Sequence, residues 1–263
     1  MSVYRRNLYS PPEGLDRDKY VLAKYIISAN TSDYVKLAAE VAVEQTVGTW
    51  TKVPLETDEL IEVHGGKVVS VFEVPDFTYE VPTEGPRTFV LEVAFPVINF
   101  GSQIPMLLSS VIGNISMLGS LKLVDLTLPE SFTDPFPGPR FGVAGIREFL
   151  NAPDRPVTNC MIKPCSGLSP EQAGEQFYEA ALGGIDIVKD DELIANASYS
   201  SVAERVAICM AAEKRAYEET GEHTYFAVNV TDSPKRLLDN VKAAMDAGVN
   251  MIMVNFVTAG IGS

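Results

Sequence analysis

The stretch Gly183–Glu192, GGIDIVKDDE, places four charges where an apolar run stops. Ile185, Ile187 and Val188 suit a buried strand, and the strand then ends on Lys189, Asp190, Asp191 and Glu192. Side chains alternate along a strand, so Lys189 and Asp191 point one way and Asp190 the other. Glu192, just past the strand, can swing round to join the first pair. Two carboxylates and one further oxygen donor make a hard-cation site, suited to Mg²⁺ rather than zinc. A bare lysine cannot ligate a cation; carbamylated by CO₂, it becomes an anionic oxygen donor and completes the set. The competing interpretation is a solvated strand end holding a Lys–Asp pair, and spacing alone does not separate the two.

Lys163, in MIKPCSG, sits at the end of the preceding strand. Pro164 fixes the backbone there, and Gly167 permits a tight turn. A lysine at a strand mouth beside a metal has its pKa depressed by the field of the cation. It can then act as general acid or base, or hold a phosphate; otherwise it is a surface lysine. Cys165 reads as an inert small residue, because neither His64 nor His223 lies in a context that would activate a thiol. GGKVVS and TAGIGS fit neither glycine spacing used for nucleotides.

These residues need elements to position them, and the two halves of the chain differ in texture. From Tyr20 to about Asp125, helices and strands mix without strict alternation. YVLAKYIIS, KVVSVFEV and RTFVLEVAFP read as strands, SDYVKLAAEVAVEQTVG as an amphipathic helix and IPMLLSSVIGNI as a short apolar helix. The expectation is a ferredoxin-like α+β domain over residues 1–135. The proline-dense LPESFTDPFPGP marks the boundary. Beyond it, over 136–263, TNCMIKP, IDIVKDD, YFAVNV and NMIMVNFV read as strands. They alternate with helices at SPEQAGEQFYEAALGG, SSVAERVAICMAAEKRAYEETG and SPKRLLDNVKAAMDAG, with Ser169 as N-cap of the first. The chemically interesting residues fall just after strands, as in a (β/α) barrel. A closed (β/α)₈ barrel doubles this count, so the reading is the first half of a TIM barrel in a truncated chain, with a shorter open α/β sheet as the alternative.

The 263 residues carry a net charge of -14, which argues against a nucleic-acid partner. The 3 cysteines, Cys160, Cys165 and Cys209, make an odd count without framework spacing, which favours a reducing cytoplasmic setting. The N-terminus lacks a signal-peptide stretch, and the apolar segments are broken by charge or glycine before membrane-spanning length.

With GGIDIVKDDE and IKP…GLS in place, the chain resembles the large subunit of RuBisCO, and more closely the RuBisCO-like proteins (form IV). AVEQTVGTWTKV, VIGNISML, LKLVDLTLPESF, PFPGPRFGV, YFAVNVT and AGVNMIMVNF match in order over nearly the whole length. The resemblance implies a carbamylated Lys189 binding Mg²⁺ together with Asp191 and Glu192, and Lys163 as the base at the acidic C–H of a substrate. It implies substrate contacts from Glu44, Thr49 and Trp50, which reach a partner subunit's site, and from Asn114 near the metal. A homodimer with sites built from two chains follows, as does a phosphorylated substrate.

The departures from the family's pattern bear on the reaction. Cys165 stands where a carboxylase of the family has a second lysine, and Met161 where it has a threonine. Both changes remove polar groups from the catalytic mouth. The methionine-salvage diketo-methylthiopentyl phosphate enolase resembles this chain in TVGTWTKVPL, yet has lysine where Asn114 stands. The resemblance therefore implies Mg²⁺-assisted enolisation of a phosphorylated keto-sugar or keto-acid, of isomerase, tautomerase or decarboxylase type. That enolase, a true ribulose-bisphosphate carboxylase and an inactive fragment acting only in assembly remain alternatives.

Overall fold

A computed structural model describes residues 8–48, 53–77, 80–81 and 83–262. The chain divides into two compact units, Met1–Gly138 and Pro139–Ser263.

In the first unit, β1 (Tyr20–Ala29), α1 (Tyr34–Glu44), α2 (Asp58–His64), β2 (Lys67–Val74), β3 (Arg87–Pro96), α3 (Ile104–Ile112), β4 (Lys122–Thr127) and α4 (Glu130–Thr133) follow in order. The strands form a sheet in the order β2-β3-β1-β4, with every pairing antiparallel. That is the ferredoxin-like arrangement, with α2 as an addition. Alternate strand residues face one core. Val21, Ala23, Tyr25 and Ile27 of β1 and Phe89, Leu91, Val93 and Phe95 of β3 pack against Ala38, Ala39, Val41 and Ala42 of α1. The Tyr25 hydroxyl is fully enclosed but satisfied, donating to the Val111 carbonyl at 2.6 Å, which ties the sheet to the end of α3.

In the second unit, α5 (Gly142–Phe149) precedes β5 (Asn159–Met161), α6 (Pro170–Leu182), β6 (Ile187–Lys189), α7 (Val202–Thr220), β7 (Tyr225–Asn229), α8 (Pro234–Asp246), β8 (Met251–Met253) and α9 (Phe256–Ala259). The strands lie in sequential order, β5-β6-β7-β8, and all pairings are parallel. Successive parallel strands joined through helices are the repeating step of a (β/α)₈ barrel. The helix starts are specified locally: Ser169 and Ser201 each complete a capping box, with Gln172 and Glu204 respectively. Gly221 closes α7 at φ 73°, a left-handed position that suits glycine. Phe177, Val188, Val206, Cys209, Phe226 and Val228 form the core between sheet and helices.

The N-terminal end of the parallel sheet is fastened by Asp186. Its carboxylate takes both Arg155 nitrogens at 2.7 and 2.6 Å, the Thr158 amide at 2.7 Å and the Thr158 hydroxyl at 2.9 Å. The Arg155 guanidinium, with the Thr158 donors behind it, holds the Asp186 carboxyl down at about 2.

Candidate active site

The opposite end of the sheet carries the residues singled out in the sequence. In the β5–β6 ladder Met161 pairs with Lys189. Lys163 and Asp191 each lie two residues further on, so parallel register brings them together. The Lys163 Nζ donates to Asp191 Oδ2 at 2.6 Å and to Cys165 Sγ at 3.1 Å. Asp191 Oδ1 accepts from the Leu193 amide at 2.9 Å, so both carboxylate oxygens are used. Lys189 closes on Glu192, Nζ to Oε1 at 2.6 Å, and its Nζ lies 3.7 Å from Met253 Sδ at the end of β8. Asp190 takes the other direction and is buried against Arg205 of α7, whose Nη2 meets Oδ2 at 2.8 Å.

The electrostatics follow from these pairs. Lys163 lowers the Asp191 carboxyl, with the Leu193 amide adding to the effect, and Lys189 does the same to Glu192. In return Asp191, and after it Cys165, holds the Lys163 ammonium well above its ordinary value. This is opposite in sign to the effect expected of a neighbouring cation, because the nearest charge to Lys163 here is a carboxylate. Burial pushes the Asp190 carboxyl up against the pull of Arg205.

The donor set fits a hard cation on one condition. Among the described residues, no group of three or more His, Cys, Asp and Glu side chains stands ready to hold a metal ion. Asp191 and Glu192 supply only carboxylates, so a third anionic oxygen must come from elsewhere. The Lys189 nitrogen that carbamylation would convert lies within hydrogen-bond reach of Glu192.

The remaining sequence-derived candidates lie in the first unit. Glu44 is the last residue of α1. Asn114 is exposed and opens a short 3-10 helix, Asn114–Met117. Gln45 brings their surroundings together: the end of its side chain lies 3.0 Å from the Ser109 and Ser110 carbonyls and 3.2 Å from the Ile115 amide, which suits an amide nitrogen facing the carbonyls and its oxygen facing Ile115. The residue after Glu44 thus lies against the residue after Asn114. Thr49 and Trp50 lie outside the described residues.

Sequence reasoning missed two buried polar residues, Asn229 and Arg205. The signals were present: Asn229 ends the apolar run YFAV, and Arg205 interrupts the apolar face of α7.

Comparison with known proteins places the chain in a family. Residues 9–132 match the family described as ribulose bisphosphate carboxylase large chain, N-terminal domain, and residues 142–263 match its catalytic domain. The chain belongs to the RuBisCO large-chain family, and RuBisCO-like proteins are among its relatives. It is 43% identical over 251 residues to a ribulose bisphosphate carboxylase-like protein of Archaeoglobus fulgidus, covering 95% of this chain and 57% of that protein. It is 35% identical over 241 residues to a 2,3-diketo-5-methylthiopentyl-1-phosphate enolase of Bacillus velezensis, covering 92% and 58% respectively. A rubisco-like protein from Alicyclobacillus acidocaldarius superposes with a TM-score of 0.81 at 31% identity, over 92% of this chain and 60% of that one. A dimeric archaeal Rubisco from Hyperthermus butylicus gives 0.83 at 31% identity, over 98% and 59%. The chain therefore spans somewhat over half the length of these relatives.

Proposed function

We propose that the chain carries the metal-binding face of a RuBisCO-like enzyme that enolises a phosphorylated keto-sugar or keto-acid. In this reading Lys189 as a carbamate, Asp191 and Glu192 bind Mg²⁺, and Lys163 moves the proton at the carbon beside the carbonyl. The observation that carries it is the meeting of Lys163 with Asp191 at 2.6 Å and of Lys189 with Glu192 at 2.6 Å, on the ends of adjacent parallel strands. Mg²⁺, when bound, supplies Lewis-acid stabilisation of the charge that develops on the carbonyl oxygen. Lys163 would take up that proton as the free amine; Asp191 at 2.6 Å and Cys165 at 3.1 Å hold it as the ammonium here, and a cation that drew Asp191 away would ease the loss of its own proton. Glu44, Thr49, Trp50 and Asn114 are assigned to substrate binding, with sites shared between the two chains of a homodimer. The net charge of -14 makes long-range attraction of a phosphate ineffective, so its recognition is local.

Lys189→Ala tests the assignment. Mg²⁺ titration in bicarbonate, and deuterium exchange into ribulose 1,5-bisphosphate and into 2,3-diketo-5-methylthiopentyl 1-phosphate, are the measurements. Loss of Mg²⁺ binding and of exchange supports the proposal; retention of both defeats it.

The diketone enolase is the second reading, favoured by the Bacillus velezensis relative. Against it stands Asn114, whose amide cannot take up a proton. Exchange with the diketone and none with the bisphosphate selects it. Incorporation of labelled CO₂ into ribulose bisphosphate would select a carboxylase, and dimerisation without any Mg²⁺ effect would select a purely assembling chain.

A further inference from the structure

Asp191 and Glu192 lie on a turn that leaves the sheet after β6, and a turn holds its side chains only as well as its own backbone is held. Two side chains from other elements grip this one. Asn229, the last residue of β7, is 0% exposed. Its amide nitrogen donates to the Ile194 carbonyl at 2.8 Å, and at longer range to those of Asp191 at 3.3 Å and Glu192 at 3.4 Å. Its side-chain oxygen accepts from the Thr231 amide at 3.0 Å, so the amide cannot rotate without losing both ends. Arg205, 1% exposed, reaches the same turn from α7, donating Nη2 to the Ala195 carbonyl at 2.9 Å and Nη1 to the Ser200 carbonyl at 2.7 Å.

Asp190 joins the two. Its Oδ1 accepts from Arg205 Nε at 3.1 Å, and its Oδ2 from Nη2 at 2.8 Å and from the Asn229 backbone amide at 2.9 Å. A buried ion pair adds little to stability compared with apolar residues of similar volume, because desolvation offsets the attraction. What the pair supplies is direction: a planar guanidinium fork accepts one arrangement of carboxylate and carbonyls. Asn229 likewise spends its donors on the turn carrying Asp191 and Glu192, not on its own strand.

We propose that Asn229, Arg205 and Asp190 form a buried frame of positioning residues that holds Asp191 and Glu192 in cation-binding geometry. The frame touches neither substrate nor cation; it acts through the backbone of residues 191–195. The inference rests on the reading of Asp191 and Glu192 as ligands.

The experiment uses the full chain with three changes: Asn229→Ala, the paired replacement Asp190→Leu with Arg205→Met, and Arg205→Lys. Amide hydrogen exchange at Leu193 and Ile194 reports the turn directly, and Mg²⁺ titration in bicarbonate reports the ligands. In Asn229→Ala and in the paired variant, exchange at Leu193 and Ile194 accelerates while β7 amides retain their protection. Mg²⁺ affinity falls about 10–100-fold, as for other residues that orient metal ligands. Arg205→Lys, which keeps the charge but not the fork, gives an intermediate loss. Unchanged exchange and unchanged affinity in a folded Asn229→Ala variant overturn the proposal, whether or not the paired variant folds. If the parent chain binds no Mg²⁺ in bicarbonate, the ligand assignment fails on its own, and exchange at Leu193 and Ile194 still decides whether the frame holds the turn.

Discussion

Lys163 and Asp186 lie at opposite ends of the parallel sheet, and each is defined by the partner it meets. Replacing Lys163 by Met removes the group proposed to move the proton, and also removes the ammonium 2.6 Å from Asp191. Deuterium exchange into substrate should fall about 10²–10⁴-fold, while Mg²⁺ binding measured by titration is kept or strengthened, because a competing cation has gone. Asp186→Asn acts on stability instead. The carboxyl titrates at about 2 when folded, against 3.8 ordinarily. Its contribution is therefore fully present above the unfolded value and is lost as pH falls through the folded one. The variant should be about 1–2 kcal/mol less stable at neutral pH, modest because Arg155 is half exposed. Thermal melts of the two proteins should converge as pH drops from about 4 towards about 2. Residue identities and alternation placed Lys189 and Asp191 on one side and Asp190 on the other. The partners were not legible. That Lys163 meets Asp191 follows from the Met161–Lys189 register, and no local pattern encodes which residues of two strands stand opposite. Arg205 reaches Asp190 across a helix, a contact fixed only by packing.

The elements were legible where one face is buried and periodicity is clean, and failed where it is broken. β4 escaped notice because Leu123 and Leu126, which both pack on the core, are three residues apart instead of two. The cause is a register shift against β1, where Lys24 pairs with Asp125 and Tyr25 with Leu123, leaving Val124 as the extra residue. α5 was hidden by glycine at Gly142 and Gly145, poor helix formers that mask the amphipathic GVAGIREF. Capping was readable, and Ser169→Ala or Ser201→Ala should each cost about 1 kcal/mol of unfolding free energy. α6 and α7 pack closely at Gly174, where an added Cβ would lie 2.4 Å from Ile208 Cγ2. Alanine gains roughly 0.5–1 kcal/mol of helix propensity at such a site. The β-branched Ile208 cannot rotate away inside its helix, and overpacking costs about 1–3 kcal/mol. The clash wins: Gly174→Ala should lower the denaturant midpoint without changing its slope.

At the scale of the whole molecule, the sequence yielded two units of different architecture, and the family match covers residues of both. What one chain cannot display is an assembly. If sites are shared between subunits, mixing a Glu44→Ala protein with a Lys189→Ala protein should restore turnover that neither shows alone, since one hybrid site is then free of both changes. Turnover that stays absent after subunit exchange, with hybrids demonstrated by mass, would place Glu44 in the same chain's site or outside any site.

The two lysine–carboxylate pairs at the sheet end are each neutral as they stand, though the chain carries a net charge of -14. On the proposed reading, capture of CO₂ by Lys189 reverses the sign of one corner and sets it against its former partner, Glu192. Appetite for a divalent ion would then appear only once dissolved carbon is at hand. On that same reading the two ammonium groups would until then keep stray cations off a strongly acidic protein at the very place where one would matter.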